Sequence, residues 1–500
     1  MYMLRATGAL AQSGATDPDA AILAAIAYGL SGTFDPLNAS GAVTLAVNWH
    51  LFEGLVDLHP VTREPYAALA AEMPVSDDGL TYTIKLREGA VFHNGLPVTA
   101  DDVVFSFTRV LDPESKSLFR SFVSFVDSVE AVSADTVKIT TNYPFSLFNE
   151  RLGAVKIVPR ATVEADADAF GTLPIGSGPY KLISAVPEAQ IVFERNDAYN
   201  GPQPALAKDM IWSLIGDATA RVNALTSGTV MAIEDVPYID AASVAAVATV
   251  EKAQSFGLLF AMFNTAAKPF DDVRVRQAFF YALDMDKIIG TGMLDNAAAA
   301  TCFLPKTHPN YHQASTVYSH DPDKAKALLA DAGVPQLDIT LMSTDHGWVK
   351  DLAPIIKESL DAVGFNTTLD IGQSGGQYSK VDAGEMQVMI APGDPSVFGN
   401  DPDILMQWWY GDNIWPAKRY NWSESAEYKQ LTELLNTALR ETGDAQQATW
   451  NQAFDLLSEQ VPLYPLLHRQ LSTAWDDEQL EGFAPVPTTG LSFLGVGVKA

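Results

Sequence analysis

The sequence predicts a mixed α/β protein organised around more than one core. Segments with the two-residue period of strands alternate in mixed order with segments at helical spacing, the pattern of layered α/β folds. At 500 residues the chain exceeds what one hydrophobic core ordinarily organises, so two or three lobes are expected. Hydrophobic residues make up 47% and aromatic residues 10%, enough to fill sizeable cores and to exclude a disordered chain.

Taken in order, residues 22–26 read as the first strand, followed by the loop Ser31-Gly32-Thr33-Phe34-Asp35-Pro36. A helix over 42–52 places Val43, Val47 and Leu51 on one face, with Gly54 as its expected C-cap. The densest pattern lies at 81–113. Tyr82, Ile84 and Leu86 alternate with Thr83, Lys85 and Arg87 as in a half-buried strand, and Glu88-Gly89 ends it. Asn94-Gly95 marks a tight turn. Thr99 then stands as an N-cap with Asp102 three residues on, opening a helix with Val103, Val104, Phe107, Val110 and Leu111 on one face.

Further along, Asp271 or Asp272 caps a helix reaching Leu283, and Asp321-Pro322 opens another that Gly333 closes. Residues 350–363 are helical up to Gly364, and 367–371 form a strand. There is no internal repeat and no low-complexity tract.

Composition narrows the function. Sixty-one acidic residues against 32 basic ones give a net charge of −29, which argues against nucleic acid, because phosphate binding relies on concentrated Lys and Arg. The acidity reads first as solubility and second as attraction of cationic solutes. No apolar run reaches the ~18 residues of a membrane span. Cys302 is the only cysteine, which rules out an intrachain disulfide, a Cys-rich zinc site and a redox pair. Residues 1–20 lack the apolar core of an export signal, while Gly8-Ala9-Leu10-Ala11 resembles the end of a cleavage region, so truncation is expected.

Catalytic signatures are absent. There is no nucleophile elbow and no paired-histidine zinc helix. His308 and His312 are four apart and near His320, but Pro309 interrupts them, so they read as loop histidines rather than metal ligands. Gly176-Ser177-Gly178-Pro179-Tyr180 lacks the Lys-Ser/Thr pair of a phosphate-binding loop. No catalytic residue, metal or cofactor is expected.

The order of residues says more. Leu86, Arg87, Gly89, Phe92, His93, Gly95, Pro97, Thr99, Ala100, Asp102 and Val103 stand as in the long motif of the family 5 extracellular solute-binding proteins, the oligopeptide- and dipeptide-binding receptors of ABC importers, and the chain resembles that family. Glu53-Gly54-Leu55, Gly176 to Tyr180, Phe263-Asn264 with Pro269 to Ala278, and Val461 to Leu466 resemble further signatures of it. The resemblance spans about 31–475. It implies a periplasmic-binding-protein-like fold of two main lobes plus an extra lobe, with a ligand cleft at a hinge. Lobe I would comprise 21–63, 171–264 and 473–500, lobe II 64–170, and lobe III 265–472, with the hinge near Asn264 and Trp475. It also implies export to the periplasm or cell exterior, membrane association through a permease or lipid anchor, an ABC permease as partner, a monomer, and one ligand per chain.

Candidate ligand contacts concentrate at 389–421, where Trp408, Trp409 and Trp415 stand among aspartates, glycines and prolines, a mixture of flat apolar walls and polar anchors suited to a solute pocket. The cluster reads as a cleft wall; its structural alternative is that Trp408 and Trp409 face different sides of a helix or strand, at least one of them in a core. In peptide-binding relatives an aspartate here meets the ligand's α-amino group, and Asp394 is the matching position; an Asp-Pro turn is its structural alternative. The sequence departs from the family at Ala391, where a tryptophan is usual, and at residues 396–400, which look like an insertion. Ser343, His346 and Trp348 form a second candidate group at a helix start, where relatives often carry a cationic residue; Trp348 favours stacking on a sugar, an apolar body or a cation. Asn38 and Ser40 face this group from lobe I, and Asn400 and Asn421 complete the set. The expected ligand is a short peptide or related amine-bearing solute, with an opine or oligosaccharide as the alternative and the cleft rich in Trp and poor in Arg. Rivals from other classes are an extracytoplasmic hydrolase on the same scaffold and a chaperone-like role.

Overall fold

The computed structural model describes residues 15–30 and 32–500; Gly8 to Ala11 and Ser31 lie outside the described residues. Its backbone is organised by one mixed sheet of 11 strands. Two long strands, β10 (Thr249–Phe263) and β11 (Leu463–Trp475), pair antiparallel along its middle. One flank adds Val388–Gly393, Leu337–Thr344 and Phe365–Gly372; the other adds Ala232–Ile233, Ala21–Ile26, Asp209–Leu214, Gln190–Arg195 and Tyr180–Val186; the short strand Ala297–Ala299 pairs with Leu463–Trp475 off this path. Parallel pairs joined by helices lie on both flanks, as in layered α/β architecture. The mixed α/β expectation holds.

The register of the central ribbon runs from Thr249 opposite Trp475 to Met262 opposite Leu463. Asn264 and Trp475 therefore lie near opposite ends of the ribbon, about 45 Å apart at strand rise. The ladder breaks between Gln254 and Leu258, and this interruption lies between the two flanks.

A second sheet of three strands, Thr81–Lys85, Thr136–Thr141 and Val126–Ser133, packs beneath the helix Ala100–Leu111. Tyr82 and Ile84 are buried and Thr83 and Lys85 exposed, as their alternation requires. Thr99 and Asp102 form a reciprocal capping box. The loop before it ends at Gly95, whose φ of +82° serves the turn. His93 then docks this unit onto the main sheet: its Nδ1 accepts from Gly176 N (3.1 Å) and its Nε2–H points to Gly178 O (3.1 Å).

The helix Ala42–Leu51 ends two residues before the expected Gly54 cap. A Cβ on Gly176 would stand 1.8 Å from Leu51 O, and one on Gly178 2.4 Å from His50 O. The glycine pentapeptide thus lets the chain close over the helix end, and Gly178 N donates to Leu51 O (2.8 Å), satisfying a carbonyl that a left-handed cap would otherwise serve. Elsewhere the expected caps are found: Asp272 opens Val273–Ala282, Asp321 opens Pro322–Asp331, and Gly333 and Gly364 take positive φ after their helices.

One apolar core runs without interruption from the three-stranded unit (Phe107, Phe122, Val137) into the flank containing Leu341, Ile390 and Phe454. A separate core gathers Ile22, Trp212, Trp475 and Phe493. At the seam of the first lies Arg151. Its Nε and Nη2 donate to the Asp401 carboxylate (2.7 and 2.6 Å), Nη2 also reaches Asp403 (2.6 Å), and Nη1 meets Phe122 O (3.0 Å). All three side chains are buried, and burial raises the Asp403 carboxyl above its ordinary value despite the arginine.

Removing one partner of such a network strands the others. R151M is expected to cost about 3–5 kcal/mol, read as a lower urea midpoint, with much of it recovered in R151M/D401N/D403N. A second expectation concerns acid. His50 is fully buried, donates from Nδ1 to Ala46 O (2.8 Å) and accepts at Nε2 from Phe493 N (2.9 Å), so the fold holds it neutral. Burial lowers its pKa from 6.5 to about 4. The unfolded chain binds this proton from about pH 6.5 downward and the fold does not until about 4. Stability is therefore lost as pH falls through that window, by about 1.4 kcal/mol per pH unit for this group. Denaturation at pH 7, 6 and 5 checks it: H50Q should show a shallower slope than the parent.

Candidate functional site

The ladder break in the central ribbon is where functional groups converge. A methyl group on Gly257 would stand 3.7 Å from Asp394 Oδ2 and 3.8 Å from Arg469 Cγ. Asp394 follows directly on the strand Val388–Gly393, whose Gly393 pairs with Leu258; Arg469 lies on β11. Around this point opens a cavity of about 610 Å³, within the ordinary range for a small-molecule site.

Its walls come from both sides of the ribbon. Tyr28, Ser40 and Thr489 contribute from the flank of Ala21–Ile26 and its neighbours; His346, Trp348, Tyr378 and the segment from Pro392 to Arg419 contribute from the other. Seven of the residues singled out in the sequence line it: Ser40, His346, Trp348, Asp394, Trp408, Trp409 and Trp415. Trp409 is buried against Phe260 and Trp415 (ring centroids 5.0 and 4.6 Å), whereas Trp408 is half-buried, as expected for neighbours on different faces of the helix Pro402–Tyr410.

The other four lie elsewhere. Asn38 is exposed in the loop before the first long helix. Ser343 is fully buried and bonded to Thr344 O (3.0 Å); Thr344, one position along the strand, lines the cavity instead, because neighbouring strand residues face opposite ways. Asn400 is turned so that its carbonyl meets His308 Nε2 (2.7 Å). Asn421 takes a positive φ and donates to Asn264 Oδ1 (3.1 Å) near the far end of the ribbon.

The expected scarcity of arginine is corrected by the fold. Arg469 lines the cavity with Nη1 on Asp235 (2.7 Å), Nη2 on the Tyr28 hydroxyl (2.8 Å), and its guanidinium 4.8 Å from the Trp348 ring centroid. The cation that Trp348 stacks on is thus the chain's own. Arg419 bonds Asp382 through Nε (3.0 Å) and lies 4.3 Å and 4.7 Å from the Trp415 and Tyr378 ring centroids. Local sequence marks neither as a site residue; its one signal is Arg419, four residues after Trp415.

Asp394 is no simple Asp-Pro turn. Its side chain makes no cap bond to the turn that follows. Instead Oδ2 accepts from Thr489 N and Oγ1 (both 2.9 Å), and Oδ1 accepts from the Ser396 hydroxyl. The carboxylate thus bridges the two sides of the cleft while still lining the cavity. In an adjoining pocket lined also by Tyr28, Arg469 and Thr489, Glu234 accepts from Ala27 N (2.8 Å), and burial pushes its pKa up to about 7. Among the described residues no group of His, Cys, Asp and Glu is arranged to hold a metal ion.

Two charges of opposite sign between aromatic walls can orient a dipolar solute. The model of the bacterial extracellular solute-binding proteins, family 5 Middle, matches residues 64–425. The glutathione-binding protein GsiB of Escherichia coli O1:K1 / APEC is 29% identical over 474 residues, covering 92% of this chain and 91% of that protein. The structure of the binding protein AgaA from A.tumefacien R10, in complex with agropinic acid, is 27% identical, with a TM-score of 0.85 over 96% of this chain and 99% of that one. A dipeptide binding protein from pseudoalteromonas sp. SM9913, in complex with Met-Leu, shares the fold at 20% identity and a TM-score of 0.84, covering 96% and 100%. These relatives are binding proteins, and the hydrolase reading finds no support among them. The chain belongs to the bacterial extracellular solute-binding proteins of family 5.

Proposed function

We propose that this chain is the receptor of an ABC importer and captures an amino-acid-derived solute of di- to tripeptide size, a short peptide or an opine-like conjugate. The observation that carries this is the cavity itself, which sets the Asp394 carboxylate and the Arg419 guanidinium into walls of Trp348, Trp408, Trp409 and Trp415. An ammonium on Asp394 and a carboxylate on Arg419 would each be held by a charge-assisted bond in a partly desolvated site. Arg419 meets the protein through Nε on Asp382, whereas Arg469 spends one N–H of each Nη on Asp235 and Tyr28, so Arg419 turns the fuller fork of donors to a ligand. Glutathione, the ligand named for the GsiB relative, carries both groups.

The mechanism is binding with closure. We place the hinge at the ladder break between Gln254 and Leu258, where two strands cross with few bonds to bend. Lobe I would carry Tyr28, Ser40 and Thr489, and lobe III the aromatic wall. The bonds from Thr489 to Asp394 and from Arg469 to Tyr28 and Asp235 would hold the closed form. We assign the protein to the outer side of the cytoplasmic membrane as a monomer with one ligand, delivering to a permease.

Native mass spectrometry of the purified protein, with denaturation and identification of anything released, tests the class; turnover of a peptide or opine would refute it. For a peptide ligand, D394A and R419A are each expected to weaken binding by about tenfold to a hundredfold, the worth of a hydrogen bond to a charged group. Calorimetry with an N-acetylated ligand separates anchoring from closure: acetylation should weaken binding to the parent and have little effect in D394A. An equal loss in both would leave Asp394 as a latch only.

A further inference from the structure

The segment 396–400, which looks like an insertion, divides the cleft. Besides the main cavity the structure contains an inner pocket of about 70 Å³ at the junction of the helix Ala42–Leu51, the hairpin Val56–Leu58/Pro65–Ala67 and the three-stranded unit. The two spaces share Val397 and Phe398 as lining residues. Phe398 has Trp408 of the main cavity on one side (ring centroids 4.6 Å) and Phe119 of the inner pocket on the other (5.7 Å).

The partition is pinned at both ends. Arg63, itself at a positive φ of 61°, donates to Ser396 O, and Ser396 donates to Asp394. At the other end His308 meets Asn400 O (2.7 Å), and Asp401 is gripped by Arg151. Behind the ring the inner pocket offers Leu45, Trp49, Leu58 and Phe119 as apolar wall; Arg63 lies at its margin, and Lys156 is paired to Asp57 there beside Glu150. Such a chamber suits the apolar side chain at the end of a longer peptide.

We propose that Phe398 sets the length of ligand this receptor accepts. It closes the main cavity behind a di- or tripeptide-sized solute, and removing its ring joins the two chambers so that a longer peptide with an apolar C-terminal residue can enter. This rests on the peptide reading of the site.

The test is retention of peptide pools of two, three, four and five residues with a fixed C-terminal leucine, read by native mass spectrometry for the parent, F398A and F398L. The parent should retain the two- and three-residue pools. In F398A the ratio of pentapeptide to dipeptide retention should rise at least about tenfold. F398L, which keeps apolar packing on Phe119 and Trp408, should rise less, and serves alone if F398A does not fold by its thermal melt. A parent that retains all four pools alike overturns the inference, as does a folded variant with the parent's length limit. A parent that retains no pool overturns the peptide reading itself, and the length gate with it.

Discussion

Everything in the cleft hangs on the antiparallel ladder between β10 and β11. It is the only element shared by both flanks of the sheet among the described residues, so the two sides of the cavity are positioned relative to each other through its backbone bonds. A continuous ladder of this length would be stiff. Its interruption between Gln254 and Leu258 removes bonds there and places Gly257 beside Asp394 and Arg469. The charged groups of the site gather next to this irregularity.

Polar contacts across the cleft divide into two kinds. The Arg151 network is fully buried and joins the three-stranded unit to the aromatic segment, fusing their cores. Its desolvation is large, so its value lies in dictating which surfaces meet rather than in net stability. The contacts of Asp394 with Thr489 and of Arg469 with Tyr28 are smaller and border the cavity. A ligand can strengthen or replace them, and population shift of the lobes requires such differential interaction. A rigid seam on one side and an adjustable one on the other is the arrangement a closing receptor needs.

Aromatic residues serve both ends. Trp409 packs as core while bordering the cavity, and Trp415 and Trp348 each sit against an arginine. An indole face orients a guanidinium without using its N–H donors; Arg419 meets Asp382 through Nε, whereas Arg469 engages Asp235 and Tyr28 through both Nη.

Local signals sufficed for much of the architecture. The capping box at Thr99 and Asp102, the alternation from Tyr82 to Leu86, and the Asp-Pro opening at Asp321 depend on neighbours within one turn of chain, and each stands as read. The tryptophan-rich segment around Asp394 was legible for the same reason, since its composition is concentrated in one stretch. What the tertiary structure alone decided involves partners far apart in sequence: Arg469 with Tyr28 and Asp235, Asp394 with Thr489, and the displacement of Ser343, Asn400, Asn421 and Asn38 from the cavity wall. The register of the central ribbon belongs with these, because it joins two strands some 200 residues apart and follows from packing on both faces rather than from either strand by itself.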